Sequence, residues 1–258
     1  MQVNADSFKQ SFHQRGYAVV PGLMLDWLPR LQAAARAMHV QAAEPLEFEA
    51  DLGYPGAPVS RGAEGGGTIR RVLDAFGRGE PWDQVATSAN VRDHLSHLLA
   101  PPIYLSRAHH NCLMTKQAGF SSKTLWHQDI RYWSFSERNL VSVWIALGDE
   151  TLENGALHVV PGSHRMQLPE SGFDEKRFFS EQAMINTGLQ DQVATVELTA
   201  GDVLFFHCRL LHAAGANRLQ KTKYSLVFTY RGGTDMALPN TRSSAMPEVQ
   251  LGENSPIA

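Results

Sequence analysis

The feature that most limits how this chain can fold is its second half. From Ile103 onward it breaks into short segments rich in Val, Leu and aromatic residues, each closed by turn residues. The expected strands are 103–116, 124–129, 140–147, 156–160, 193–198, 202–206, 210–214 and 224–230, with Pro161-Gly162 and Gly201-Asp202 as the clearest punctuation. The first hundred residues read as mainly helical. Phe8 and Phe12 are four apart, with Gly16 where a helix would stop. Asp26 can cap a helix carrying Trp27, Leu28, Leu31, Ala35 and Met38, and Ser88 can cap one carrying Val91, Leu95 and Leu98. Helices first and strands after argue against an alternating parallel sheet. They predict a mainly β fold with flanking helices, an antiparallel jelly-roll-like barrel.

At 258 residues the chain fits one domain. Residues 1–102 form a mainly helical part packing on the barrel, 103–231 the barrel core, and 232–258 a tail with little apolar content. Two long polar or Gly/Pro-rich stretches, 44–67 and 165–192, are expected to be mobile and to close over the barrel mouth. Hydrophobic residues make up 43%, enough for a sizeable core, and a net charge of -3 gives no electrostatic case for nucleic acid or an anionic membrane. No stretch approaches the roughly 18 apolar residues of a membrane span, and no basic n-region opens the chain, so a cytoplasmic location is expected. Cys112 and Cys208 form no CxxC and read as two buried thiols. The glycine-rich 61–68 is not followed by Gly-Lys-Ser/Thr, so it is no phosphate loop.

The most informative segment for chemistry is Trp126-His127-Gln128-Asp129. Residues two apart on a strand share a face, so His127 and Asp129 can both point into a barrel, and they are two of the three ligands of a facial triad. His-x-Asp alone is common. Its context is the segment 201–212, a turn and an apolar strand followed by His207 and His212, either of which can supply a remote third ligand. Five residues apart on one extended strand, those two would face opposite sides, and local spacing does not choose between them.

Further motifs make the pattern specific. Trp144-Ile145-Ala146-Leu147, Asn154-Gly155, Pro161-Gly162-Ser163-His164 and Gly201-Asp202…His212 with Asn217 follow His127-x-Asp129 in order. Together they resemble the phytanoyl-CoA dioxygenase family over about 105–230, and the opening Gly16–Gly22 resembles it too. The resemblance implies a double-stranded β-helix of the cupin-like kind and a dioxygenase using Fe(II), 2-oxoglutarate and O2. It implies His127, Asp129 and His212 as metal ligands, His212 being preferred because Asn217 follows at the family offset. Gln128 and Trp144 match positions lining the 2-oxoglutarate site. The family arginine that pairs the distal carboxylate falls eleven residues after the last histidine, where this chain has Lys223, with Thr222 or Ser225 as a helping hydroxyl and Arg218 as another cation within reach.

The implied reaction hydroxylates a C–H bond of a small, polar or anionic metabolite and releases succinate and CO2. Arg131, Tyr132 and Trp133, directly after the Asp, and Arg70 and Arg71 are candidate substrate contacts. A halogenase is disfavoured, because Asp129 fills the position such enzymes leave to chloride. Two other classes compete: a metal-dependent hydrolase or isomerase on a similar barrel, and a non-catalytic sensor of metal or 2-oxoglutarate. His109, His110, His158 and His164 are read as structural, with one of His109 and His110 free to face the cavity.

Overall fold

A computed structural model describes residues 4–252. Its strands are β1 (Tyr17–Val20), β2 (Leu46–Phe48), β3 (Ile69–Leu73), β4 (Ile103–Lys116), β5 (Thr124–His127), β6 (Leu140–Ala146), β7 (Leu157–Val159), β8 (Ala194–Val196), β9 (Val203–His207), β10 (His212–Ala214), β11 (Lys223–Gly232) and β12 (Val249–Gln250). They form two sheets. The larger runs β1-β9-β6-β11-β4-β3-β2, with β12 added on β4, and the smaller runs β5-β10-β7-β8. All pairings are antiparallel. The architecture is the expected double-stranded β-helix with helices outside.

The alternation of side chains decides what each face does. On β9, Val203 and Phe205 point to the helical layer and Leu204 and Phe206 to the space between the sheets. The helical layer is built as the sequence implies. Helix Ala5–Arg15 buries Phe8 and Phe12 and ends on Gly16 at φ 81, a left-handed value that a residue with a Cβ adopts at a cost. The Ser88 side chain accepts from the Val91 amide to start Ala89–Ser96. Phe205 sits edge-on to Phe8 at 5.2 Å and stacked on His94 at 5.6 Å, which locks that layer to the sheet.

Several expectations are corrected. The first hundred residues contribute three strands as well as helices, because β1, β2 and β3 extend the large sheet at both ends. The stretch 44–67 is therefore not irregular throughout: it holds β2 and the short helix Glu49–Leu52. Asp26 does not cap the second helix, Leu28–Gln41, which has Pro29 in its first turn and no side-chain cap at Trp27. The 165–192 stretch includes helix Glu181–Asn186, whose Ala183 and Met184 pack with Leu211 and Trp126. The tail pairs through β12 with β4, and Arg231 forms an ion pair with Glu248; the tail's residues 253–258 lie outside the described part. Phe205→Ala should cost about 3–5 kcal/mol, read as a lower midpoint in denaturant unfolding, while leaving metal binding intact in the folded fraction.

Candidate metal centre and its cavity

Strands β5 and β10 pair so that His127 lies directly opposite His212. That register brings together two residues 85 positions apart, with ring centroids separated by 4.2 Å. Asp129 reaches the same point by a different route from the one expected. The strand ends at His127, and Asp129 opens a 3-10 turn (Asp129–Tyr132) pinned by the Ile130 amide to the Cys208 carbonyl at 3.0 Å. One oxygen, Asp129 Oδ1, lies 3.6 Å from His127 Nε2 and 3.8 Å from His212 Nε2. Ligand atoms of all three residues lie within 4.8 Å of one another.

The second ring nitrogens complete the case for a metal. His127 Nδ1 faces the Leu125 carbonyl at 2.8 Å, and His212 Nδ1 faces the Leu210 carbonyl at 2.9 Å. A carbonyl only accepts, so each Nδ1 carries the proton and each Nε2 presents its lone pair to the centre. Asp129 Oδ2 is buried and has no hydrogen-bond partner among the described residues. Burial raises the Asp129 pKa, but the imidazoles of His110, His212 and His127 more than offset it and hold the carboxyl well below its usual range. Burial, then the neighbouring His127, pushes the His212 pKa down to about 4. Two neutral imidazoles and a carboxylate with an open oxygen are the donor set that suits Fe(II), leaving further coordination positions free.

The structure sets the two candidate histidines apart. His207 ends β9 in the large sheet, and His212 opens β10 in the small one, so they do not share a strand. His207 faces Phe12 and His164, and its Nδ1 accepts from the Arg209 amide at 3.0 Å.

Other expected contacts divide. Trp144 lines the cavity beside the histidines, together with Arg71, His110, Met114, Lys116 and Phe206. Gln128 points the other way: its amide donates to the Arg209 carbonyl, and its Oε1 accepts from Arg131. Arg131 also pairs with Glu170 at 2.9 Å and lies over the Phe173 ring. Trp133 is buried, stacked on His109 at 4.8 Å and edge-on to His110 at 5.3 Å. Tyr132 is the exposed member, its ring 6.1 Å from His127 and its hydroxyl on the Lys176 carbonyl. Arg70 is buried and held by Glu49, Ser122 and Thr124. Lys223 and Ser225 both bond Glu150, at 2.7 and 2.6 Å, and Trp144 Nε1 donates to the same carboxylate at 2.9 Å. Arg218 lines a separate hollow and its amide bonds the Glu153 carbonyl.

Of the His109–His110 pair, His110 is the one that faces the cavity, with Nε2 3.7 Å from Asp129 Oδ1, and two residues outside the expected set join it. Lys116 lines the cavity, and Glu150 is 1% exposed behind Trp144. The available signal was period two on β4: residues 110, 112, 114 and 116 share a face. His109, the neighbour on the other face, bonds Ser243. His158 bonds Thr195, and His164 packs against Gly16, where an added Cβ would strike its ring.

With this geometry in place, the comparisons with known proteins are decisive. The model of the family described as Phytanoyl-CoA dioxygenase (PhyH) matches residues 12–224. The chain belongs to the phytanoyl-CoA dioxygenase family. As a member it is a non-haem iron dioxygenase, and Fe(II), 2-oxoglutarate and O2 are the family's cofactor and co-substrates. It is 25% identical over 225 residues to the ectoine dioxygenase of Sphingopyxis alaskensis, covering 80% of this chain and 69% of that protein. It is 33% identical over 122 residues to the human peroxisomal phytanoyl-CoA dioxygenase, covering 44% of this chain and 36% of that one. Among solved structures it is similar to the epimerase SnoN from nogalamycin biosynthesis, with a TM-score of 0.73, 24% identity and coverage of 96% and 93%. It is also similar to EctD from S. alaskensis with 2-oxoglutarate and 5-hydroxyectoine, with a TM-score of 0.70, 20% identity and coverage of 92% and 78%. These two structures support the fold. Among the described residues no helix is long and apolar enough to cross a membrane.

If the three residues form the metal site, Asp129→Ala and His212→Ala should each abolish tight Fe(II) binding, measured anaerobically by calorimetry, with the circular dichroism spectrum unchanged. His207→Ala should bind as the parent does. Retention of iron by His212→Ala with its loss in His207→Ala would reverse the assignment.

Proposed function

We propose that this chain is a cytoplasmic, single-domain 2-oxoglutarate-dependent hydroxylase in which His127, Asp129 and His212 hold Fe(II). The observation that carries the reading is the convergence of their three ligand atoms within 4.8 Å, with both imidazoles oriented by backbone carbonyls. Bound there, the iron supplies oxygen activation coupled to conversion of 2-oxoglutarate to succinate and CO2. The protein's share is placement and shielding. The Leu125 and Leu210 carbonyls keep both imidazoles in one tautomer. The His110 pKa is depressed to about 4, chiefly by burial, so at neutral pH its ring stands uncharged beside Asp129, with Nδ1 on the Ser142 hydroxyl. Trp144, Phe206 and Met114 give the cavity apolar walls that keep bulk water from the reacting atoms.

The substrate we favour is a small polar or anionic metabolite. Arg71, paired with Glu47 at 3.2 Å, lies in the cavity wall and offers a cation to such a molecule. Tyr132 stands at the mouth beside His127. The likeness to ectoine dioxygenases over 80% of the chain, against 44% for the human phytanoyl-CoA enzyme, favours a small molecule over an acyl-CoA. A substrate screen read by succinate release, with Fe(II) and ascorbate present, tests the reading. One or more small polar compounds should raise succinate above the uncoupled level. Turnover of a substrate with no succinate would support the hydrolase or isomerase class. Binding of iron and 2-oxoglutarate with no turnover across the screen would support a sensor.

The mouth is covered by two segments that meet above His127. Tyr54, from 44–67, packs edge-on against Phe178, from 165–192, at 5.4 Å, and Phe178 lies 6.1 Å from His127. We propose that both open for substrate and close over it. Limited proteolysis should cut within these segments, and cutting should fall when 2-oxoglutarate and a turnover substrate analogue are bound. Cleavage indifferent to every tight ligand would remove the lid.

A further inference from the structure

Three buried cations line the inner end of the cavity and the hollow beside it: Arg70, Lys116 and Lys223. Two are already neutralised. Arg70 pairs with Glu49 at 3.0 Å. Lys223 pairs with Glu150 at 2.7 Å, and the same carboxylate takes the Ser225 hydroxyl and the Trp144 indole. Glu150 thus already neutralises Lys223 and takes up Ser225, the hydroxyl that would have helped Lys223 hold a co-substrate carboxylate. Displacing it would bury a carboxylate with no cation, which is costly.

Lys116 differs. It is 8% exposed, and no carboxylate of the described residues forms an ion pair with it. Its ammonium has three donors and makes one hydrogen bond, to the Ser122 carbonyl at 2.9 Å. Lys116 and Lys223 are direct partners in the β4–β11 ladder, so their side chains leave the sheet on the same face and at the same end of the cavity. Lys116 also borders both hollows, one shared with His127 and His212 and the other with Lys223 and Ser225. The chain makes room for it. Gly155 has φ 83, and an added Cβ there would lie 2.8 Å from Lys116 Cδ. Asn217 clamps the base of Lys116 by donating to its carbonyl at 2.8 Å. Burial, followed by the positive charges of Arg70 and Lys223, pushes the Lys116 pKa well down, the state of a buried amine that lacks an anion.

We infer that Lys116, rather than Lys223, is the cation that receives the distal carboxylate of 2-oxoglutarate, and that Glu150 fixes this choice by holding Lys223, Ser225 and Trp144. The inference rests on the proposed function, since it presumes that 2-oxoglutarate enters this cavity. It makes Lys116 the binding residue and Glu150 the partner that withholds Lys223 from the co-substrate. A dicarboxylic 2-oxo acid supplies the anion that Lys116 lacks; a monocarboxylic one does not.

The test is calorimetric binding of 2-oxoglutarate to the Fe(II)-loaded protein under nitrogen, with 2-oxobutyrate, which lacks the distal carboxylate, as the comparison ligand. Lys116→Met should weaken 2-oxoglutarate binding at least about tenfold, or about 1.4 kcal/mol, and leave 2-oxobutyrate within about threefold of the parent. The double variant E150Q/K223M removes a buried pair together, which proteins tolerate better than removal of one partner. It should keep 2-oxoglutarate within about threefold of the parent. Retained Fe(II) binding in each variant shows that the centre is intact. An unchanged Kd in Lys116→Met, or a tenfold loss in the double variant, overturns the inference. Failure of the unaltered protein to bind 2-oxoglutarate at all would instead overturn the proposed function.

Discussion

The structure turns on one cross-strand pair. His127 and His212 meet only because β5 and β10 are in the register they are in, and a slip of β10 by one residue would send the His212 side chain to the opposite face, away from His127. That register is held from three sides. The Leu125 and Leu210 carbonyls fix the rings, β7 pairs the far edge of β10 with Val159 opposite His212, and the Ser163 hydroxyl accepts from the Leu211 amide at 2.8 Å. The Pro161-Gly162-Ser163-His164 turn thus helps set the register of the strand that carries His212. It does so from behind, without touching the centre.

Charge explains the walls around that pair. The cavity is lined from one side by a cluster in which nearly every cation has its own carboxylate: Arg71 with Glu47, Arg70 with Glu49, Lys223 with Glu150. Buried pairs of this kind add little net stability, because desolvation cancels much of the attraction, but removing one partner leaves an expensive orphan. Their effect is to fix side-chain positions around a polar cavity inside an apolar barrel. Glu49 shows how far this goes. It is fully buried at the start of a short helix, bonded to Ser122 and Arg70, and so ties the segment after β2 to the loop that leads into β5. The segment after β2 and the loop that leads to His127 are therefore joined through Glu49 and Ser122.

The sequence disclosed strands where apolar alternation was strong and turns were marked. Strand β4 and the strands from β6 to β11 fall within a few residues of the expected segments. It hid the strands that depend on tertiary pairing. β3 reads Ile-Arg-Arg-Val-Leu, and two adjacent arginines argue for solvent until Glu47 and Glu49 are placed beside them. β2 has three residues and no pattern of its own. For the site, His127, Asp129 and His212 were singled out by motif and by the family resemblance, and the fold brings them together. Asp129 arrives there by an unexpected route: it lies in a turn, not on a strand, and the Ile130–Cys208 bond that aims it is not written in the local sequence. The contacts of Gln128 were invisible for the same reason, since its partner Arg209 lies 81 residues away.

Lys223 and Glu150 show how a motif position can keep its place and change its meaning. From sequence, a lysine where the family carries arginine reads as the same charge with a poorer fork. Glu150 sits in the loop after β6, 73 residues earlier, and nothing in its neighbourhood marks it as buried. Only the fold puts it under Trp144 and against Lys223. An arginine can serve a carboxylate with two parallel donors and still offer others. A lysine paired at 2.7 Å with a buried carboxylate, which Ser225 and Trp144 also bond, already has its charge matched. The buried amine that remains without a carboxylate is then Lys116 on the neighbouring strand, and the proposed anion site rests on that imbalance rather than on the motif position itself.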